Sequence, residues 1–405
     1  MHAERAKAMD VVEDRIEGGV HPVRLPAALW IIALGNLVIG TGAFVIGGIV
    51  EPLARSLGVS VSTAGQLMTV YSAANAIAAP LLLAAFGRAT ARTLLVGAMG
   101  AMVLASVASA LATSWGALAL ARVAMACGAG LFAPTAAAYV VSLVPASMRG
   151  RALSVGFSGI GLSYIVGVPF GAWAGVSRFG WPLAFWAVAA AGIAVTVLLV
   201  RAPAAAAPEP PSLRGYARAL SDRRSGLALA VTAAYFSAIF SIFSYVGAFL
   251  TNYAGVSPGG VPGVLVAFGV AALVGTFVGG ALADRIGPTR MLYAICVGFL
   301  VVFAAMWTMP GRPVGVVAVL LCWGVIGFAF YSAQQVRLVA VAPTQAPVMF
   351  ALNSTMLYFG TAAGAAIGGA VIAAVGYRGL PVAAAVLIVL VAVLVRASEP
   401  APARG

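Results

Sequence analysis

The chain has 405 residues, of which 62% are hydrophobic and 8% are charged, and its mean hydropathy is +1.06. Soluble domains have about 45–50% apolar and about 25% charged residues, so this composition excludes an ordinary soluble fold and a disordered chain. The formal net charge is +13, and Lys7 is the single lysine among 23 basic residues. These proportions predict an all-α membrane protein with many spans.

The scarce reactive residues exclude several classes of function. Because the single lysine lies near the N-terminus, the chain lacks the G-x-x-x-x-G-K-[ST] loop that holds nucleotide phosphates. His2 and His21 precede the first apolar segment, and Cys127, Cys296 and Cys322 lie far apart in sequence. We therefore expect no histidine-based catalysis, metal site or disulfide framework, and no enzyme activity or cofactor.

Apolar stretches of about 20 residues, the length that crosses a bilayer as a helix, recur along the chain. Residues 1–26 have no apolar core and are predicted to form a cytosolic tail rather than a cleaved signal peptide. The twelve predicted spans, numbered 1 to 12 below, are 27–50, 63–85, 93–112, 116–142, 152–175, 181–200, 226–250, 261–283, 291–309, 315–337, 348–374 and 380–396. Residues 201–225 are predicted to be a cytoplasmic linker between two six-helix halves, 27–200 and 226–396, and residues 397–405 a second cytosolic tail.

The positions of the basic residues predict the orientation, since basic residues near span ends favour the cytoplasm. With the N-terminus in the cytoplasm, 18 of the 23 basic residues fall in cytoplasmic segments, four fall in outer loops, and Arg122 alone falls inside a span. Both termini are therefore predicted to be cytoplasmic. The high positive charge is an orientation signal, and we expect no nucleic-acid partner.

Two segments indicate that the halves are repeats and point to a family. Ala152-Leu153-Ser154 matches Ala351-Leu352-Asn353 about 200 positions later. The run from Gly280 to Arg290, GALADRIGPTR, resembles the G-x-L-a-D-r-x-G-r-k signature of the major facilitator superfamily, and it lies between spans 8 and 9 as that signature does. The resemblance implies two pseudo-repeated six-helix bundles that transport a solute by alternating access.

The same run supplies candidate gating residues: Asp284, Arg285, Gly287 and Arg290. An Asp at a helix end can pair with Arg and with a helix N-terminus, and Gly permits a tight turn. The hypothesis is a latch that holds one conformation. The alternative is an ordinary cytoplasmic turn with basic residues.

Further segments resemble the twelve-span drug/proton-antiporter branch of the superfamily, which includes bacterial exporters of sugars, purine nucleosides and chloramphenicol-like compounds. They are residues 40–45, 59–67, 243–245, 249–250 and 351–354, together with 167–171, which includes Gly167 and Pro169 as further gating candidates. The resemblance implies a monomer in the bacterial inner membrane. Two positions depart from the pattern, since Ala84 replaces the first-half acid and Ala43 stands where span 1 often has Glu.

Few ionisable groups are available for transport, because no Asp or Glu lies inside a predicted span. Ionisable groups within a bilayer are usually functional. Arg122 lies about 9–10 Å into span 4, measured from the side on which Glu51 ends span 1. We expect Glu51 and Arg122 to pair, directly or through water, and to act in coupling, with protonation of Glu51 or an anionic substrate competing for Arg122. The alternative is that Glu51 is a solvated residue beside Arg55.

Span 7 carries a polar stripe beside an aromatic one, which suits an amphipathic organic solute. Ser237, Ser241, Ser244 and Tyr245 share one helical face, and Phe236, Phe240 and Phe243 lie on the next. The alternative is that the serines bond their own helix and the rings contact lipid. The full set of substrate-binding candidates is Asn36, Arg122, Phe240, Ser241, Tyr245, Trp323, Gln334 and Asn353.

Small residues recur every fourth position in spans 5 and 11, a spacing that lets helix backbones approach closely. They are Gly159, Ser163, Gly167, Gly171 and Gly175 in span 5, and Gly360, Gly364 and Gly368 in span 11. This pattern predicts close helix packing, with rocking between conformations as a consequence.

The leading functional hypothesis is a secondary transporter that exports small organic molecules in exchange for protons. An uncoupled facilitator is the alternative, because the spans lack carboxylates. A membrane sensor without transport activity is less favoured, since it needs a sizeable soluble module. The expected partners are a small organic solute, protons and the lipid bilayer.

Overall fold

The computed structural model describes residues 26–86, 89–145, 148–204 and 213–399, without the side chains of residues 213, 214 and 284. Nearly all of these residues are helical, and twelve of the described helices are long and apolar enough to cross a membrane. The predicted all-α membrane fold with twelve spans is confirmed.

The observed helices follow the predicted spans and extend several of them. Spans 1 to 6 are Ala27–Phe44 with Ile46–Leu57, Val61–Phe86, Ala91–Ala110, Trp115–Ser142, Arg149–Leu162 continued through Ser163–Gly167 to Val168–Val176, and Pro182–Val200. Spans 7 to 12 are Arg223–Phe243 with Val246–Asn252, Val261–Ile286, Pro288–Trp307, Pro313–Val341, Ala346–Val375 and Gly379–Ala397. A short helix, Leu213–Ser221, lies within the predicted linker.

Successive spans run in opposite directions, so the helix ends form two sides. The side that carries residues 201–222 is called the linker side below, and the opposite side is called the Glu51 side. On the linker side, Asp222 caps span 7, because its Oδ2 accepts hydrogen bonds from the backbone N–H and the hydroxyl of Ser225.

Spans 1 and 7 are interrupted at equivalent positions, which identifies the axis that relates the two halves. The first helix of span 1 ends at Phe44, and that of span 7 ends at Phe243, 199 positions later. The same offset separates Gly48 from Gly247, and a Cβ atom on Gly247 would lie 3.0 Å from the carbonyl oxygen of Gly48. Equivalent residues meet only near a pseudo-twofold axis, so the axis passes between spans 1 and 7.

The other contacts between the halves obey the same axis. Span 2 packs against span 11, and span 5 packs against span 8. A twofold axis that exchanges span 2 with span 8 also exchanges span 11 with span 5, so the two contacts are equivalent. The two pseudo-repeated bundles expected from the resemblance are therefore present.

Glycines bring spans 5 and 11 against their neighbours with almost no space between backbones. A Cβ atom on Gly159 would overlap the carbonyl oxygen of Ala33 in span 1 and lie 2.6 Å from the backbone nitrogen of Leu37. A Cβ atom on Gly364 would lie 2.5 Å from the carbonyl oxygen of Ser237 in span 7. The predicted packing role of the small-residue stripes is thus visible in both halves.

The two halves are joined by hydrogen bonds on the Glu51 side. The hydroxyl of Thr251 donates to the Glu51 carboxylate at 2.7 Å, and the hydroxyl of Ser62 donates to the carbonyl oxygen of Gly369 at 2.7 Å. Gln66 in span 2 donates to the Tyr245 hydroxyl at 3.3 Å. Within the described ranges, every hydrogen bond between the halves lies on this side, so the structure is closed there.

The ring of Tyr245 fills a groove lined by glycines at the centre of this closure. A Cβ atom on Gly65 of span 2 would overlap the ring, and one on Gly369 would lie 2.5 Å from its hydroxyl oxygen. The hydroxyl donates to the carbonyl oxygen of Ala365 at 2.8 Å. Tyr245 is fully buried there and fills the space between spans 2 and 11.

Replacing Gly159 with Ala is expected to destabilise the protein by about 1–3 kcal/mol, because backbone atoms of span 1 occupy the space that the added methyl group needs. Gly161→Ala is the matched control, because a Cβ atom on Gly161, two residues later in the same helix, would have nothing within 4 Å. Thermal unfolding of the purified variants measures the effect. Equal midpoints for the two variants would contradict the observed packing of spans 1 and 5.

Replacing Gly65 with Ala is expected to open the Glu51 side, because the added methyl group displaces the Tyr245 ring. A cysteine at Ser62, in a cysteine-free background, reports this opening through its rate of reaction with a membrane-impermeant maleimide. The rate should rise several-fold in Gly65→Ala. Gly97→Ala is the control, because nothing lies within 4 Å of a Cβ atom there. An unchanged rate in Gly65→Ala would show that Tyr245 does not hold the closure.

Candidate functional site

Arg122 is a fully buried cation in the middle of the first half. Its two Nη atoms donate to the carbonyl oxygens of Gly42 and Ala43, the latter at 2.8 Å. Its Cζ lies 4.3 Å from the centre of the Tyr71 ring, and its Nε has no hydrogen-bond partner. The guanidinium is thus held by backbone dipoles and an aromatic face, without a carboxylate.

The interruption of span 1 explains why two carbonyl groups are available to Arg122. The first helix of span 1 ends at Phe44, and the last four carbonyl groups of a helix have no N–H partner within it. Gly42 and Ala43 belong to that last turn. Their oxygens also carry the negative end of the helix dipole, which stabilises a cation.

The direct pair of Glu51 and Arg122 is not formed in the described structure, while pairing through water and a role of the two residues in coupling stay predictions. Glu51 lies eight residues beyond Ala43, about 12 Å along the helix axis. Its carboxylate accepts hydrogen bonds from Thr251 at 2.7 Å and from Asn252 at 3.4 Å, both in the other half. The second helix of span 1 places Glu51 on the Glu51 side. The carbonyl oxygens of Gly42 and Ala43 contact Arg122 instead.

Glu51 is also not the fully solvated residue of the alternative hypothesis, since it is half-buried. The negative charge of Glu51 also acts on the turn between spans 11 and 12. Burial, and then the Glu51 carboxylate, raise the pKa of the Tyr377 hydroxyl in that turn. Glu51 is therefore a half-buried carboxylate that accepts hydrogen bonds from span 7 and acts electrostatically on the turn between spans 11 and 12.

Five aromatic rings meet between the halves near the membrane centre and form what we call the central aromatic cluster: Phe44, Tyr164, Phe240, Phe243 and Phe328. The ring of Tyr164 lies 5.0 Å from Phe44, 5.6 Å from Phe243 and 5.1 Å from Phe328, measured between ring centres. Phe44 in turn lies 5.7 Å from Phe240. The cluster joins spans 1 and 5 to spans 7 and 10.

A π-helical turn in span 5, Ser163–Gly167, carries Tyr164 into this cluster. Such turns are rare and occur often at functional sites. The predicted gating residues lie at its end, where Gly167 packs on Thr41 of span 1 and Pro169 is buried at the start of the next helical segment. Periodicity alone does not predict the π turn, so the position of Tyr164 was missed.

A second aromatic contact between the halves joins Arg122 to the second half. The ring of Tyr71 lies between Arg122 and Tyr358 of span 11, with 6.5 Å between the two tyrosine ring centres. The hydroxyl oxygen of Tyr71 is buried and makes no hydrogen bond. Tyr331 of span 10 keeps 44% of its surface exposed.

We call Arg122, Tyr71, Tyr358 and the central aromatic cluster the central site. Of the predicted substrate-binding residues, it includes Arg122 and Phe240. Tyr71, Tyr164, Phe328 and Tyr358 were missed, because an isolated aromatic residue in an apolar span carries no signal of the helix that it faces. Aromatic walls with one cation suit a small molecule that has a planar apolar part and electron-rich polar groups.

Other predicted substrate-binding residues lie in contacts between helices of one half. Asn36 donates to the carbonyl oxygen of Gly156 at 2.8 Å and so joins spans 1 and 5. Ser241 bonds the Ala238 carbonyl oxygen of its own helix and faces the glycines of span 11. The structure therefore places both in packing contacts, and Tyr245 lies in the closure described above.

The remaining candidates lie inside the second half. Trp323 is buried against Phe268, Phe299 and Phe303 of spans 8 and 9. Gln334 donates to Thr232 at 2.9 Å, and Thr232 donates to Asn353 at 2.6 Å, so these side chains join spans 7, 10 and 11. This structure does not bring these residues to the central site, because Trp323 packs on rings of the second half and Gln334 and Asn353 hydrogen-bond to Thr232 there.

Residues 280–290, for which the sequence suggests a latch, contain the turn between spans 8 and 9. Gly287 has a φ angle of +85°, a left-handed backbone conformation that favours glycine, so the predicted tight turn is present. Arg285 and Arg290 are exposed. The side chain of Asp284 lies outside the described part of the structure, and the latch itself stays a prediction.

Comparisons with known proteins agree with this geometry. A family model for the Major Facilitator Superfamily matches residues 32–356. The chain is 33% identical over 331 residues to a chloramphenicol resistance protein of Streptomyces lividans, covering 80% of this chain and 84% of that protein. It is 30% identical over 366 residues to the inner membrane transport protein YdhP of Escherichia coli K12, covering 90% and 94%.

Solved structures share the fold at low sequence identity. A bacterial homologue of the human lysosomal transporter Spinster, in an inward-facing and unoccupied conformation, superposes with a TM-score of 0.72 at 17% identity, covering 95% of this chain and all of that one. A D-xylose–proton symporter gives 0.72 at 18% identity, covering 92% and 97%. The chain is thus a multi-pass membrane protein that belongs to the Major Facilitator Superfamily.

Proposed function

We propose that this chain exports a small organic solute across the bacterial inner membrane in exchange for protons, and that the solute binds at the central site. The observation that carries the proposal is the placement of an aromatic cluster between two halves that are closed on one side, together with one buried cation, Arg122, within the first half. The similarity to a chloramphenicol resistance protein supports export of a compound of that kind.

The proposed orientation places the linker side in the cytoplasm, with both termini there, in accord with the distribution of basic residues. Closure on the Glu51 side then corresponds to a state that receives solute from the cytoplasm. Residues 27–200 and 226–396 move as two halves joined by residues 201–225. The turn with Asp284 and Gly287 acts as a latch on the linker side in the opposite state.

Glu51 is the proposed link between protons and this movement. Its carboxylate accepts hydrogen bonds from Thr251 and Asn252 across the two halves. Hydrogen bonds to a charged acceptor are roughly twice as strong as neutral ones, so protonation of Glu51 weakens the closure. A higher proton concentration on the Glu51 side then favours opening toward that side and release of the solute.

An uncoupled facilitator is the second candidate. It is favoured by one observation, namely that none of the twelve spans predicted from the sequence, from 27–50 to 380–396, contains Asp or Glu. Proton carriers inside membranes are usually carboxylates or histidines. A facilitator of the same structure equilibrates its solute and does not accumulate it.

Uptake of labelled chloramphenicol into inverted membrane vesicles separates these two functions. With an acidic vesicle lumen, the proposed exporter accumulates chloramphenicol above its external concentration, and a protonophore abolishes the accumulation. Vesicles without the protein are the control. Uptake that reaches equilibrium only, with or without the protonophore, identifies the facilitator and contradicts proton coupling.

Replacing Glu51 with Gln is expected to reduce proton-driven accumulation several-fold while leaving equilibration of the solute in place, because the neutral amide no longer responds to protons. Glu399→Gln is the matched control, since Glu399 lies at the linker side and bonds Tyr293 and Arg396. Accumulation that survives in Glu51→Gln as well as it does in Glu399→Gln would remove Glu51 from the coupling step.

A further inference from the structure

We propose that the central site selects its solute by charge: it accepts neutral and anionic aromatic molecules and excludes permanent organic cations. This inference rests on the proposed function, because it concerns the solute of the same site. It follows from the electrostatics of Arg122 and from the placement of the acidic groups around it.

Among the residues that the structure describes, no acid balances the charge of Arg122. The described structure contains one ion pair within 4.0 Å, Arg396 with Glu399, and it lies at the linker side near the end of span 12. Glu51 is about 12 Å from Ala43 along span 1 and is engaged by Thr251. Asp222 lies at the cap of span 7, again outside the apolar region.

The partners of Arg122 reduce its charge only in part. Two carbonyl dipoles and the face of the Tyr71 ring contact the guanidinium, and Nε has no partner. Two carbonyl dipoles cancel less of the electric field of the guanidinium at a distance than a neighbouring carboxylate does. Because apolar helices surround the site, screening by water and salt is weak there. The surroundings of Tyr71 and Tyr358 are therefore electropositive.

Aromatic clusters attract cations through the negative faces of their rings, so the rings alone would predict the opposite selectivity. Here the ring of Tyr71, which stands between Arg122 and the second half, already has a cation on one face. The buried Tyr71 hydroxyl and the Arg122 Nε make no hydrogen bonds. Both are donors that suit carbonyl, nitro or carboxylate oxygens on a solute. Arg122 repels cations, and the two donors have no partners in the structure. Both features favour neutral or anionic solutes.

Three probes of equal ring size and different charge test the inference: 4-nitrobenzyl alcohol, 4-nitrobenzoate and 4-nitrobenzyltrimethylammonium. Equilibrium dialysis with the purified full chain in neutral detergent measures their affinities without any gradient. The alcohol and the benzoate should bind at least tenfold more tightly than the ammonium compound. Equal or tighter binding of the ammonium compound overturns the inference, and so does binding of none of the three.

Variants identify the origin of the selectivity. Arg122→Gln should reduce the preference for benzoate over the ammonium compound about tenfold, whereas Arg122→Lys retains the charge and should retain the preference. Arg178→Gln removes one exposed positive charge from a loop on the Glu51 side and should leave the preference unchanged. An equal loss in Arg178→Gln assigns the selectivity to the surface and refutes the role of Arg122. The comparison of probes in the unmodified protein decides the question even if Arg122→Gln does not fold.

Failure of this inference and failure of the proposed function give different results. Binding in detergent needs no proton gradient, so the charge preference can be observed in a facilitator as well as in an antiporter. Conversely, proton-driven export of an organic cation by the vesicle assay would support the proposed transport and refute the charge selection.

Discussion

The close contact of spans 1 and 7 around Gly48 and Gly247 is the constraint on which the structure depends. Because the two glycines are equivalent in the repeat, the axis that relates the halves passes through their contact. Side chains would separate the helices where the halves meet, since a Cβ atom on Gly47 would lie 2.6 Å from the carbonyl oxygen of Phe243 and one on Gly247 would lie 3.0 Å from that of Gly48. The bonds of Glu51 with Thr251, and the insertion of Tyr245 among glycines, follow from this approach.

This closure and the central site are connected through the interruptions of spans 1 and 7. The break after Phe44 leaves carbonyl groups that hold Arg122, and it also directs the next helix toward Thr251. The break after Phe243 lies beside Tyr245. A movement that separates the second helices of spans 1 and 7 would therefore act on the groups that surround the buried guanidinium.

The fold was predictable from the sequence because its main determinants are local in the chain. Apolar runs of about 20 residues predict spans, and small residues at every fourth position predict close packing. The repeat of about 200 residues predicted the two halves, and the equivalent breaks after Phe44 and Phe243 agree with it. The orientation of the bundle in the membrane rests on the basic residues and stays a prediction.

The site was predictable only in part, since helical periodicity defines a face of a helix but not the helix that this face meets. Ser241 faces glycines of span 11, Trp323 faces spans 8 and 9, and Gln334 shares Thr232 with Asn353. Tyr164 reaches the centre through a π turn that breaks the 3.6-residue period. The direct pair of Glu51 and Arg122 is absent because carbonyl oxygens of span 1 accept hydrogen bonds from the guanidinium, which sequence distance did not show.

The central claim is that closure on the Glu51 side alternates with closure on the linker side. Distances between spin labels on the two halves, measured by electron–electron double resonance at neutral and at acidic pH, test it most directly. With one label pair on each side, acidification should lengthen the distances on the Glu51 side and shorten those on the linker side. Distances that stay fixed on both sides, or that lengthen together, would contradict alternating closure.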